Sequence, residues 1–215
     1  MARPPRRRGG AAARLQPRHR LLRRGAGRHG RARRGAHRLI GVLVSGNGTN
    51  LQALLDARLP VAAVAANVDC RALARAGEIP TRVFSLHGFP DRERRDAAMA
   101  DWLAGHGVDL VVCAGYMHLL TAPFLDRFPQ RILNVHPSLL PDFPGAHAID
   151  DALAAGAETT GVTVHLVDAG LDTGPVVARE QVPVEPRATL VERIHAVEHR
   201  LLPAAAREML VRERA

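Results

Sequence analysis

The chain has 215 residues, 47% apolar but only 3% aromatic, enough for one domain whose core is Val, Leu, Ile and Ala. No stretch approaches the roughly 20 uninterrupted apolar residues of a membrane-spanning helix, which argues against a span. The net charge of +9 hides two unlike parts: residues 1–38 hold 14 Arg and no acid, whereas residues 39–215 hold 16 Arg against 21 acids, a balance of −5.

The arm 1–38 is rich in Gly, Pro and Arg and has too little apolar surface to offset its ordering entropy, so it is expected to be disordered. Three readings of it compete. Arginines contact nucleic-acid phosphates. An Arg-rich, acid-free leader resembles an organellar transit peptide, although this one has no Ser. The third is a solvated, non-functional extension, as a start assigned too far upstream would produce. The folded domain is expected to span 39–215.

From residue 39 the pattern changes. Leu39–Val44 is a continuous apolar run, as expected of a strand covered on both faces of a parallel sheet. Further runs are predicted as strands at Val61–Ala66, Leu110–Ala114, Ile132–Val135, Val162–Val167 and Val176–Val177. Helical patterns fall between them at Asn50–Ala57, Asp91–His106, Ala122–Phe128 and Ala148–Ala155, and a long helix closes the chain over about Thr189–Arg212. Strands alternating with helices predict an α/β fold, a doubly wound, mostly parallel sheet with helices on both faces. Such sheets bind ligands beyond the C-terminal ends of their strands.

Two cysteines, Cys70 and Cys113, cannot build a disulfide framework. Cys113 ends an apolar run and reads as a buried thiol. A reducing, cytoplasmic setting fits this usage.

Three strand ends carry the chemistry. After the first strand comes Ser45-Gly46-Asn47-Gly48-Thr49-Asn50, then a helix. Two glycines permit a tight turn, and free N–H groups at a helix start face any bound anion, so one phosphate is the preferred ligand. A dinucleotide fingerprint wants a third glycine where Leu51 stands, though Asp69 supplies an acid at a suitable distance. A P-loop would need Gly-Lys-Ser/Thr. A plain turn and cap is the bland alternative.

In Ile132-Leu133-Asn134-Val135-His136-Pro137, Asn134 and His136 share one face, about 6–7 Å apart. Polar side chains on an apolar strand are costly to bury unless used. An amide can donate to a developing oxyanion, and an imidazole can carry a proton near neutral pH. A core histidine that merely finds a partner is the alternative. The strand ending in Val167 runs into Asp168-Ala169-Gly170-Leu171-Asp172-Thr173-Gly174, where an Asp on its own reads as a turn former.

Together SGNGTNLQALLDA, AGYMHLL, ILNVHPSLLPDFPG and HLVDAGLDTGP resemble, in order and spacing, the phosphoribosylglycinamide formyltransferases, the folate-dependent enzymes of purine synthesis. The resemblance covers about residues 39–210. It implies that Gly46, Asn47, Gly48, Thr49 and Asn50 hold the ribose phosphate of glycinamide ribonucleotide, with Arg92 and Glu198 near the same substrate. It implies a catalytic trio of Asn134, His136 and Asp172. Met117, His118, Leu119 and Leu120, with Val167, Asp168, Ala169, Gly170 and Leu171, would line the pocket for 10-formyltetrahydrofolate.

The chain departs from the pattern at His118, where these enzymes usually carry Arg. The stretches Asn67–Gly77 and Glu185–Thr189 look shorter than usual. No metal is implied, and no Cys/His cluster has zinc spacing. Partners are expected to be small molecules, with the chain a monomer or homodimer and neither a membrane nor nucleic acid involved.

Rival readings share the core. A methionyl-tRNA formyltransferase would need a further C-terminal domain. A formyltetrahydrofolate hydrolase usually carries an N-terminal regulatory domain and a different segment after the His. An arginine-armed nucleic-acid binder lacks an aromatic stacking platform, and a dinucleotide-dependent oxidoreductase is the remote alternative.

Overall fold

The computed structural model describes residues 38–211, so the expectation for the arm lies outside the described residues. Seven strands form one sheet in the order β3-β2-β1-β4-β5-β6-β7. They are β1 Leu39–Val44, β2 Val61–Ala66, β3 Thr81–Val83, β4 Val108–Cys113, β5 Ile132–His136, β6 Thr159–Leu166 and β7 Val176–Pro183. The first five run parallel. β6 pairs antiparallel with β5 and with β7.

The helices are α1 Thr49–Asp56, α2 Arg71–Arg75, α3 Arg92–Gly105, α4 Ala122–Leu125, α5 Ala148–Ala154 and α6 Leu190–Val211. Alternation along β1 shows how the sheet is covered. Ile40, Val42 and Val44 pack with Leu51 and Leu54 of α1 and with Ile194 and Leu202 of α6. Leu43 points the other way, among Met99 and Leu103 of α3 and Phe124 of α4. Each fully buried Leu of this kind contributes about 1.5–3 kcal/mol of transfer free energy. At Gly41 a Cβ would come within 2.9 Å of Leu103 Cδ2, so glycine lets α3 approach the central strand.

The predicted strands are all present, and the sheet is mostly parallel as expected. The differences lie at its margins. β3 is three exposed residues and α2 is five residues long, too short for a periodic pattern to declare itself. β7 extends six residues beyond the apolar pair Val176-Val177. Its Arg179, Glu180 and Gln181 are legible as a strand only through the antiparallel pairing to β6. An edge strand open to water on one side has no need of a continuous apolar run.

Among the described residues, no group of three or more His, Cys, Asp or Glu is placed to hold a metal ion. No described helix is long and apolar enough to cross a membrane.

Candidate active site

A cleft of about 530 Å³ opens at the C-terminal ends of β1, β4 and β5, where a doubly wound sheet offers its ligand site. The glycine turn forms one end of it. Gly48 sits at φ 74, and a Cβ there would meet Ala72 of α2 at 2.6 Å, so both backbone and packing demand glycine. The Gly46 carbonyl accepts from Ala72 N–H, and the Asn47 carbonyl accepts from Arg75 Nε at 2.7 Å. With those oxygens engaged on the α2 side, the turn and the start of α1 offer N–H groups to an anion in the cleft.

No side chain caps α1, so Thr49 and Asn50 are not its caps. Asn50 instead donates from Nδ2 to Glu198 Oε2 of α6 at 3.2 Å. Its buried Oδ1 has no protein partner. Burial pushes the Glu198 carboxyl above its ordinary value, opposed by the Asn50 hydrogen bond and by His195. His195 lines the same end of the cleft.

The opposite end is apolar. Met117, Leu119 and Leu171 are 61%, 49% and 51% exposed, and exposed apolar side chains gathered in one cleft mark a surface for a ligand or partner. All of Met117–Leu120 line the cleft, as do Val167, Asp168, Gly170 and Leu171. Ala169 is exposed and does not. Asp168 is turned into its own loop, accepting from Gly170 N–H at 3.0 Å and Thr173 Oγ1 at 2.7 Å. Arg92 is not among the residues that line the cleft. Its Nη2 donates to the Leu119 carbonyl at 2.5 Å, bracing the apolar wall from α3.

Between the two ends lie Asn134, His136 and Asp172. His136 is 4% exposed. Its Nε2 is 2.8 Å from the Phe143 carbonyl, which can only accept, so Nε2 carries hydrogen and donates. Nδ1 is therefore the nitrogen that gains and loses a proton, and it lies 3.4 Å from Asp172 Oδ2. Phe143 itself holds a left-handed φ of 52, a conformation costly for a bulky residue, with its carbonyl on the histidine.

Asp172 also has a left-handed φ, 54, which Asp tolerates better than most residues. Its Oδ2 accepts from Gly145 N–H at 2.9 Å, and its Oδ1 lies 3.4 Å from Asn134 Nδ2 and 3.5 Å from His165 Nε2. Burial alone would raise this carboxyl. The His165 hydrogen bond, the Gly145 N–H and the two imidazoles outweigh it and hold the group below its ordinary value. Asp172 is thus ionised to a lower pH than an unperturbed aspartate.

His165 is the member that sequence reasoning missed. It pairs directly with Asn134 across β5 and β6, as Thr163 pairs with His136. Its Nδ1 donates to the Leu166 carbonyl at 2.9 Å, leaving Nε2 to face Asn134 Nδ2 at 3.1 Å and Asp172 Oδ1. Thr163 accepts from Leu140 N–H and donates to the Ser138 carbonyl, pinning the segment after His136. The only signal in the sequence was a second polar pair in an otherwise apolar strand.

Comparisons with known proteins show the family and the fold. The family model described as formyl transferase matches residues 38–206. A phosphoribosylglycinamide formyltransferase of Mycobacterium tuberculosis is 50% identical over 174 residues, covering 76% of this chain and 81% of that one. The crystal structure of glycinamide ribonucleotide transformylase 1 from Symbiobacterium toebii superposes with a TM-score of 0.78 at 45% identity, covering 81% of this chain and 88% of that one. Its counterpart from Geobacillus kaustophilus gives 0.78 at 41% identity, covering 81% and 100%. The chain belongs to the formyl transferase family.

Proposed function

We propose that this chain transfers the formyl group of 10-formyltetrahydrofolate to the amine of glycinamide ribonucleotide, a step of purine synthesis. The observation that carries the reading is the meeting of Asn134, His136 and Asp172 between an anion-binding turn and an exposed apolar wall.

The ribose phosphate sits on the N–H groups of the Gly46–Asn50 turn, with the ribose beside Glu198 and His195. The folate ring lies against Met117, Leu119 and Leu171, whose exposed apolar faces suit a flat heterocycle. Anchoring both ends turns remote binding into orientation of the amine toward the formyl carbon.

The amine attacks that carbon directly, and the carbonyl electrons move onto oxygen. The Asn134 amide and a proton on His136 Nδ1 stabilise the oxyanion. Asp172, held ionised, supports that proton and orients a water that carries the amine proton to the departing folate nitrogen. When the carbonyl re-forms, the carbon–nitrogen bond to folate breaks and the formyl group stays on the glycinamide amine. No side chain is acylated.

A cytoplasmic setting suits soluble substrates and two free thiols, of which Cys113 is pushed up to about 12 by burial and is chemically quiet.

The deciding assay mixes the purified chain with 10-formyltetrahydrofolate, with and without glycinamide ribonucleotide. Formylated nucleotide forming only when both are present is the expected result. Formate release without the nucleotide would identify a hydrolase and overturn the assignment.

A further inference from the structure

A second bonded chain of side chains stands beside the catalytic trio and takes no part in the steps above. Met117 N–H donates to Ser45 Oγ at 3.1 Å, Ser45 Oγ is 2.6 Å from Asn67 Oδ1, and Asn67 Nδ2 is 2.7 Å from His118 Nε2. Ser45 follows β1 and Asn67 follows β2. The chain therefore ties the exits of two neighbouring parallel strands to the apolar wall that follows β4.

The direction of each bond is set by what the groups can do. A backbone N–H only donates, so the serine oxygen accepts from Met117. Its one proton is then free for Asn67, and 2.6 Å suits an O–H···O bond. Turning the amide over would leave that hydroxyl proton with no acceptor. The Asn67 carbonyl oxygen therefore faces Ser45 and its NH2 faces the ring. Two donors cannot face each other at 2.7 Å, so His118 Nε2 must be bare and accepting, with the ring hydrogen on Nδ1.

We propose that Ser45 and Asn67 are positioning residues that hold the Met117–Leu120 wall through the neutral ring of His118, so that grip on the formyl donor weakens when His118 takes up a proton. The inference rests on the formyl-transfer reading for its consequence, but not for the bonded chain itself.

The surroundings favour the neutral ring at ordinary pH. Partial burial comes first, followed by the positive charges of Arg95 and Arg92 on α3. Together they hold His118 below its usual range, with Asp96 of the same helix opposing them. The remaining neighbours are the Tyr116 ring, 5.7 Å away and tilted by 52°, and the uncharged Asn67.

Protonation should loosen one end of the wall only. Leu119 is still held by Arg92, and Thr121 still donates from its N–H and its hydroxyl to Asp96 Oδ2, each at 2.9 Å. The effect thus belongs to donor affinity and not to folding. An Arg at position 118 would donate at every pH and could not complete this chain. The coupling is therefore particular to a histidine at that place.

The test is Asn67→Asp, at a residue outside the cleft lining. A carboxylate keeps the acceptor for Ser45 and presents a second oxygen to the ring, so the charged ring is now welcomed. In ¹⁵N-histidine-labelled protein, with the His118 signal assigned by its loss in His118→Gln, the wild-type ring should show a bare Nε2 at neutral pH. Its titration should move upward in Asn67→Asp. Calorimetry with 10-formyltetrahydrofolate should show the wild-type Kd rising as His118 protonates, and the variant should lose that rise.

An Nε2–H ring, or a titration unmoved by Asn67→Asp, overturns the proposal whether or not the chain transfers formyl groups. So does donor affinity that ignores the His118 titration. A donor that binds at no pH would instead sink the formyl-transfer reading, and the NMR titration would still decide the bonded chain.

Discussion

The Asp172 carboxylate reaches His136 Nδ1 with Oδ2 at 3.4 Å, while the other nitrogen of that ring is committed to the Phe143 carbonyl. One nitrogen is fixed as a donor and the other stands beside a carboxylate held ionised. This division leaves Nδ1, and not Nε2, as the ring nitrogen free to take a proton. It also explains why a bulky residue is kept at a left-handed φ seven positions on: the Phe143 carbonyl sets the ring.

His136→Ala removes the proton carrier and leaves the glycine turn untouched. Turnover should fall by about 10²–10⁴-fold, the usual worth of a positioned acid or base. The KM for glycinamide ribonucleotide should change little. Steady-state kinetics with the nucleotide varied reads both, and near-normal kcat would remove His136 from the mechanism.

Asp172→Asn keeps a residue that accepts a left-handed φ and removes only the charge. The carboxyl lies below its ordinary value in the folded chain, because its hydrogen bonds and two imidazoles outweigh burial. Its contribution to stability is thus complete above the unfolded-chain value of about 4 and is lost as pH falls through the lowered folded value. The variant should unfold more readily at neutral pH and lose that acid-side decline, as thermal melts across pH would record. Its kcat should drop and its pH–rate profile should move. An unchanged profile would mean that the carboxylate does not act through His136.

His165→Gln probes the residue that pairs with Asn134. With Nδ1 donating to Leu166, Nε2 accepts from Asn134 Nδ2. Losing such a neutral hydrogen bond costs about 0.5–1.5 kcal/mol, so kcat should fall by about 2- to 10-fold. His165 is a positioning residue, and the loss should appear in kcat with little change in either KM. A variant that merely melts earlier, with kcat intact at low temperature, would make it structural.

Gly48→Ala meets two obstacles, a left-handed backbone and Ala72 at 2.6 Å. The backbone alone costs about 1–3 kcal/mol. The turn should shift, raising the KM for the nucleotide more than that for the folate. Equal effects on both would show that the turn does not hold the phosphate.

Much of the scaffold is readable without coordinates. β1 and β2 coincide with their apolar runs to the residue, because strands covered on both faces must be apolar throughout. β3, and β7 beyond Val176-Val177, do not announce themselves, because an edge strand is stabilised by its pairing and not by its own composition. The partner of Arg92 is equally illegible in the sequence: only the packing of α3 brings its guanidinium to the Leu119 carbonyl.

The sequence by itself determined the α/β alternation, the glycine turn, and the pairing of Asn134 with His136 on one face, since all are local consequences of backbone period and glycine conformation. Only the tertiary structure decided what surrounds that pair. Asp172 lies 36 residues beyond His136, and its left-handed turn aims it back between two imidazoles. His165 arrives beside Asn134 through an antiparallel register that no local pattern encodes. The acceptor role of His118 depends on Ser45 and Asn67, which meet it only because β1, β2 and β4 are neighbours in the sheet. Local propensity selects the elements, whereas the protonation state of a ring is set by whichever donors and acceptors the fold brings within 3 Å or so of it.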